Sequence, residues 1–158
     1  MIKFLYALLF TILPITELRV GMPLAINYAL ENNIPVMLVF LIIVFLNILV
    51  VFFIFFFLDK IHLTLMKFKI YNKLFNLYLK KIQKKIDKFE KKHQEIGFIA
   101  LILFVAIPLP GTGAWTGSLL SWILGLDRKK SILAIAIGIM LAGLFIFLAS
   151  LGFFNYFY

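Results

Sequence analysis

Ile107-Pro108-Leu109-Pro110-Gly111-Thr112-Gly113-Ala114-Trp115-Thr116-Gly117-Ser118-Leu119-Leu120-Ser121-Trp122 is the stretch on which the fold turns. It lies between two apolar runs, 96–106 and 119–126, so a helix-breaking loop falls where hydropathy places the membrane. Proline removes a backbone donor and clashes with the preceding turn, and hydrocarbon holds no water to replace the lost bond. Such a loop persists in a bilayer only where other protein covers it or where it lines a polar cavity. The sequence therefore predicts a re-entrant hairpin: one short helix in, a turn at 108–113, and a second short helix out. Broken helices of this kind are where transporters hold substrates and ions.

Composition sets the class. A chain of 158 residues that is 64% hydrophobic and 17% aromatic cannot hide that surface in one soluble core, so an all-α integral membrane protein is expected. The absence of cysteine excludes a disulfide framework, a Cys-ligated metal and a Cys nucleophile. No cofactor or metal is expected.

Upstream, Met1 to Leu13 has a Lys near its start and a short apolar run, like a signal peptide. The following Pro14-Ile15-Thr16-Glu17-Leu18-Arg19 lacks the small residues that signal cleavage requires, so the segment is expected to be retained. It is too short to span, and a second apolar stretch, Val20 to Leu30, follows it. Residues 4–30 thus read as a first re-entrant hairpin with its tip at Pro14 to Glu17. From Ile34 to Leu58 there is no charge, and this segment spans, with Pro35 at its first turn and Asn47 as its one strongly polar side chain. Asn47 either makes an interhelical hydrogen bond or belongs to a transport path.

Residues 59–95 change character. Lysines crowd there, while Phe75, Tyr78, Leu79, Ile82, Ile86 and Phe89 recur at three- and four-residue steps, the mark of an amphipathic basic helix. Anionic lipid headgroups are its expected partner, because no nucleic-acid-binding motif accompanies the charge. Downstream, Asp127-Arg128-Lys129-Lys130 precedes a second span at 131–151, in which Ala134, Gly138 and Ala142 form a small-residue stripe.

Two hairpins and two spans make two halves of opposite orientation: residues 1–58 and 96–154 as inverted hairpin-plus-span repeats, joined by the basic segment 59–95, in one membrane domain. All Lys and Arg except Lys3 and Arg19 then fall on one side, which makes 59–95 and 127–130 cytoplasmic and puts both termini opposite, in a multi-pass protein of the cell membrane. Two crossings make a thin wall around a cavity, so a homodimer is expected, with the 134, 138, 142 stripe either its contact or a packing face within the chain.

The residues also resemble a family. Glu17-Leu18-Arg19-Val20-Gly21-Met22-Pro23-Leu24-Ala25, the Asn47-bearing span, and Pro108-Leu109-Pro110-Gly111-Thr112-Gly113-Ala114-Trp115-Thr116-Gly117 followed by Leu124-Gly125-Leu126 are similar to the small multidrug export protein family over nearly the whole chain. Val20-Gly21-Met22-Pro23 is a mild departure from its pattern. That family looks distantly similar to the DedA and VTT superfamily, in which paired re-entrant loops carry an acidic residue and a Pro-Gly tip. The resemblance implies transport, either proton-linked or of lipids between leaflets, and leaves the substrate open.

The candidate site follows from the residues themselves. A charge near the bilayer centre costs about 2.5–3.5 kcal/mol on insertion scales. Glu17 and Arg19 therefore form a structural ion pair or serve a transport path, and residues two apart on a helix face each other poorly. Each is expected to meet the opposite hairpin or water, Glu17 as a proton site and Arg19 as the holder of an anionic group. Thr16, Thr112 and Gly113 are candidate caps of the two half-helices, whose N-termini favour anions. Glycines at 111 and 113 allow close approach of a ligand or of the other hairpin. Pro23, Asn47, Pro108, Pro110, Thr116 and Gly117 complete the candidate set. Trp115 is expected at the cavity wall and Trp122 at the interface. Catalysis is not expected: Ser118, Thr112 and Thr116 are available as nucleophiles, but His62 and His93 sit among lysines, and no Gly-x-Ser-x-Gly or His-Glu-x-x-His motif is present. The sequence thus points to ion- or proton-coupled export of a small molecule, with a lipid flippase or scramblase as the alternative.

Overall fold

The computed structural model describes residues 2–65, 67–70, 72–73, 76–77, 94–109 and 111–157. Six helices organise them, and no strand occurs among the described residues: α1 Ile2–Ile12, α2 Glu17–Glu31, α3 Val36–Leu65, α4 Gln94–Ala106, α5 Ala114–Ile123 and α6 Arg128–Phe157. The apolar face expected at Phe75 to Phe89 and most of the lysine-rich segment lie outside the described residues, as does Pro110.

Each boundary has a local cause. α1 stops before Pro14. α2 ends with Asn33 in the left-handed region (φ 53°), which brings the Ile34 N–H to Ala29 O at 2.9 Å and closes the helix with a C-terminal capping bond. Pro35 then accepts the first bond of α3, from the Leu38 N–H at 3.0 Å, so it stands just outside the helix rather than in its first turn. α5 ends the same way as α2. Gly125 has φ 62°, its N–H reaches Trp122 O at 3.2 Å, and the Leu126 N–H reaches Ser121 O at 3.1 Å. Asp127 follows as the N-cap of α6, its Oδ1 accepting the Lys130 N–H at 2.9 Å.

Among the described residues two helices have the length and apolarity to cross a membrane, Val36–Lys60 with 25 residues and Arg128–Phe154 with 27. At 1.5 Å per residue these reach about 37 and 40 Å, more than the roughly 30 Å of hydrocarbon in a bilayer. Both run beyond the expected spans: α3 continues past Leu58 through Asp59 and Lys60, and α6 starts three residues before Ser131.

α1 packs along α2, and α2 lies against α3 and α6. α3 also touches α5 and α6, while α4 packs chiefly along α6 and less on α5. The core gathers Met22 and Ile26 of α2, Ile43 and Val51 of α3, Val105 of α4 and Ile139 of α6. Outside it, Met37, Leu41, Phe45, Phe52 and Phe56 line the exposed face of α3, and Met140, Leu144 and Leu148 that of α6. Large apolar side chains at helical spacing on an outer surface suit lipid as the solvent. The small-residue stripe of α6 faces inward: a Cβ on Gly138 would lie 2.7 Å from Val105 Cβ and 2.9 Å from Ile102 O, and Ala134 and Ala142 are buried. Gly138 seats α4, and the stripe packs within the chain.

Candidate functional site

A helix leaves its last carbonyls without donors, and at the end of α1 the next residues turn away. Side chains from three places supply the missing bonds. Thr16 donates its hydroxyl to Phe10 O at 2.6 Å, Asn47 of α3 donates Nδ2 to Thr11 O at 2.9 Å, and Trp115 of α5 donates its indole Nε1–H to Ile12 O at 3.0 Å. Thr16 stands at the N-cap position of α2, yet its hydroxyl points back to α1 and makes no capping bond to α2. It ties the turn to the helix it has just left.

The start of α5 has the opposite need. Gly113 occupies its N-cap position and has no side chain with which to cap. The Glu17 carboxylate fills the gap from the other broken helix: Ala114 N–H donates to Oε2 at 3.3 Å and Trp115 N–H to Oε1 at 3.2 Å. A carboxylate at a helix N-terminus gains from the macrodipole, by up to about 2 kcal/mol in partly buried geometry. Gly113 is what lets it in. Its φ is 131°, and a Cβ there would overlap the Glu17 carboxylate. Glu17 itself has φ 47°, a left-handed conformation that costs a non-glycine residue about 1–3 kcal/mol, and it is 3% exposed.

Arg19 addresses the same loop. It donates to the carbonyl of Thr112 and to Thr112 Oγ1, the latter at 2.7 Å. The Thr112 hydroxyl in turn points into its own loop, 2.7 Å from Ile107 O and 2.8 Å from Leu109 O. Thr112 is thus a receiver for Arg19 and does not cap α5. Glu17 and Arg19 form no direct ion pair with each other among the described residues. Each meets the opposite hairpin, Glu17 through the N–H groups of α5 and Arg19 through the carbonyl before it.

A cavity of about 10 Å³ remains beside this junction, bounded by Glu17, Arg19, Asn47, Gly113 and Ala114, with Ile139 among its apolar walls. That is room for about one water, against the roughly 300–1,000 Å³ of a small-molecule pocket. Asn47 Oδ1 is buried there without a partner.

Of the remaining candidates, Pro23 is half-buried within α2 and Pro108 half-buried in the loop, and neither borders the cavity. Gly111 has φ 82° with open space where a Cβ would lie, so it serves the turn itself. Gly117 packs α5 on α4, a Cβ there reaching Val105 Cγ2 at 2.7 Å. Thr116 has a buried hydroxyl without a partner. Trp115 does not border the cavity: with Leu119 and Trp122 it covers the buried cluster of Val50, Ile54 and Leu58 on α3, while its N–H caps α1.

A second polar cluster was not anticipated. Asp59, near the end of the first span, meets Arg128 at the start of the second, and Trp122 donates Nε1–H to Asp59 Oδ1 at 3.3 Å. The Arg128 guanidinium carbon also stands 5.5 Å from the centroid of the Phe55 ring. An acid directly after an apolar span and a base directly before another were the available signal, since like lengths bring such ends to one level.

Two long apolar helices, a lipid-suited exterior and two broken helices whose ends satisfy one another define a helical integral membrane protein with a buried polar junction. Residues 17–145 match the family of small multi-drug export proteins, and the chain belongs to that family. No curated protein and no solved structure matches it.

Proposed function

We propose that this protein exports a small molecule, coupled to a proton or another ion, through a cavity that opens between two re-entrant hairpins. Glu17 is the ion-binding group. The observation that carries this reading is the Glu17 carboxylate, buried and held at the N-terminus of α5 from the other broken helix. Neutralising it converts two charge-assisted bonds to neutral ones of about half the strength and releases the start of α5. The junction then loosens at the point where the two halves meet. A water-sized cavity is too small for cargo, so the conformation described is the closed one, and export needs a second in which the tips separate.

The inverted repeat draws support from paired details. Gly21 allows α2 onto Ala7 and Thr11 of α1 as Gly117 allows α5 onto Val105 of α4, and Asn33 and Gly125 end α2 and α5 in the left-handed region. The positive-inside pattern places the basic segment on the cytoplasmic side, against anionic headgroups. With the small-residue stripe used internally, a homodimer forms through the outer faces of α3 and α6.

Lipid movement between leaflets is the second reading, favoured by the apolar tips: Leu13 and Ile15 in one turn, Ile107 and Leu109 in the other, are all exposed. One experiment separates the two. Proton flux under an imposed pH gradient is measured in vesicles carrying the purified protein, with ethidium and then inorganic phosphate offered as cargo, beside Glu17→Gln. Exchange of a fluorescent phospholipid between leaflets is followed in the same vesicles. Cargo-dependent flux that vanishes in Glu17→Gln supports the exporter. Lipid exchange without proton flux, unchanged in the variant, replaces it with the second reading.

A further inference from the structure

The described part of α5 carries hydroxyl groups that its packing does not explain. Ser118 and Ser121 are both 0% exposed, and neither Oγ has a hydrogen-bond partner. Alanine at either position would have the higher helix propensity and would avoid the cost of burying an unsatisfied hydroxyl. An orphaned buried hydroxyl calls for a reason, and unpaired oxygens that both donate and accept suit the passage of a proton or a water.

Their position supplies the reason. Three residues apart, they share one face of α5, the face on which Ala114 gives its N–H to Glu17 Oε2. At 1.5 Å per residue Ser118 stands about 6 Å along the helix from Ala114 and Ser121 about 10 Å. The next residue, Trp122, donates to Asp59, which meets Arg128 at the ends of the two spans. The two hydroxyls therefore occupy the interval between the buried carboxylate and the charged cluster.

We propose that Ser118 and Ser121 line a proton path along α5 that connects Glu17 with the Asp59–Arg128 end of the protein. This rests on Glu17 as the ion-coupling group and adds the side with which it exchanges its proton, the side that bears the basic segment. In each transfer a hydroxyl or an intervening water accepts a proton on oxygen as its own proton moves on. Every oxygen of the path ends with the bonds it began with. The proton leaves a Glu17 oxygen and reaches Asp59 or the water beyond it.

The test uses the full chain in vesicles, with the flux assay and cargo probes named above. Wild type, Glu17→Gln, Ser118→Ala/Ser121→Ala and Ser150→Ala are compared, the last removing a buried α6 hydroxyl off this face. The double variant is expected to lose proton flux at least tenfold while its melting temperature stays level or rises, and Ser150→Ala to keep the wild-type rate. Glu17-dependent flux that survives in the double variant overturns the path and leaves the exporter standing. A loss of flux that comes with a fall in melting temperature, or that Ser150→Ala shares, makes the hydroxyls structural and also overturns it. A wild type with no Glu17-dependent flux removes the exporter reading, and the path with it.

Discussion

Glu17 and Trp115 each complete a helix end near the other: Trp115 gives its backbone N–H to Glu17 Oε1 at 3.2 Å, and its indole N–H to Ile12 O, 3.0 Å away, at the end of the helix before Glu17. The two broken helices thus cap each other. Neither tip could be satisfied alone, because each leaves backbone groups that only the other half reaches. Buried backbone groups without partners are costly, and this reciprocity satisfies them at both breaks.

Removing the charge at position 17 tests that account. Glu17→Gln keeps an acceptor but replaces a carboxylate with a neutral amide, and hydrogen bonds to charged groups contribute about 1.5–3 kcal/mol. We expect stability in detergent to fall by that order in equilibrium unfolding, with the helix content retained. An unchanged midpoint would mean that α5 finds its cap elsewhere.

Gly113 and Gly111 both have positive φ but different surroundings. Gly113→Ala drives a methyl group into the Glu17 carboxylate and should cost more than the backbone strain alone, about 1–3 kcal/mol, and should abolish flux. Gly111→Ala faces open space and should show only the strain. Thermal unfolding of the two variants side by side gives the comparison, and equal losses would contradict the crossing of Glu17 onto α5.

Trp115→Phe keeps a ring against Val50, Ile54 and Leu58 and loses only the N–H. Ile12 O then has no donor, at a cost of about 1–3 kcal/mol. Trp122→Phe should cost less, because its partner Asp59 is partly exposed and keeps Arg128. Chemical denaturation of both variants reads the difference, and a larger loss at Trp122 would count against the capping role of Trp115.

Packing through missing side chains predicts a third contrast. Gly138→Ala places a Cβ 2.7 Å from Val105 Cβ and 2.9 Å from Ile102 O, so α4 must move, and overpacking of this kind costs about 1–3 kcal/mol. Gly152→Ala meets open space on the same helix and should stabilise by roughly 0.5–1 kcal/mol through helix propensity. Melting temperatures should move in opposite directions.

Lys3 and Glu31 join the free ends of α1 and α2 at 2.8 Å, and the hydrogen bond from Lys3 holds the Glu31 carboxyl below its usual range. A carboxyl lowered in the folded state stabilises above its unfolded value, about 4.3, and loses that contribution as pH falls through the lowered folded value. Lys3→Met should return the Glu31 titration toward the unfolded value, read by carboxyl NMR. The surface pair should also weaken with salt.

Much of this was legible in the chain. Pro14, and Pro108 with Gly111 and Gly113, mark both breaks because their effects on the backbone are local. The uncharged run after Ile34 and the run after Ser131 mark the spans by length. The caps were harder. Thr16, Thr112 and Gly113 were natural cap residues by type and position, yet Thr16 turns back to Phe10, Thr112 receives Arg19, and the carboxylate that caps α5 comes from Glu17, about a hundred residues away in sequence. No periodicity carries such a contact. The stripe at Ala134, Gly138 and Ala142 was readable as a close-packing face, but its partner was not, since a groove of small residues fits any helix that can reach it.

The sequence by itself determined a helical membrane protein with two spans, two interrupted helices and an acid and a base at the first interruption. Those follow from hydropathy, length and proline, which act along the chain. That Glu17 and Arg19 reach the opposite hairpin or water rather than each other was expected from their spacing; only the tertiary structure decided which backbone groups at 112–115 they serve, and that Asn47 and Trp115 complete α1. The cause is geometric. A broken helix packed inside a protein must find partners for its freed backbone groups, and which side chains arrive depends on how the helices pack, not on their order.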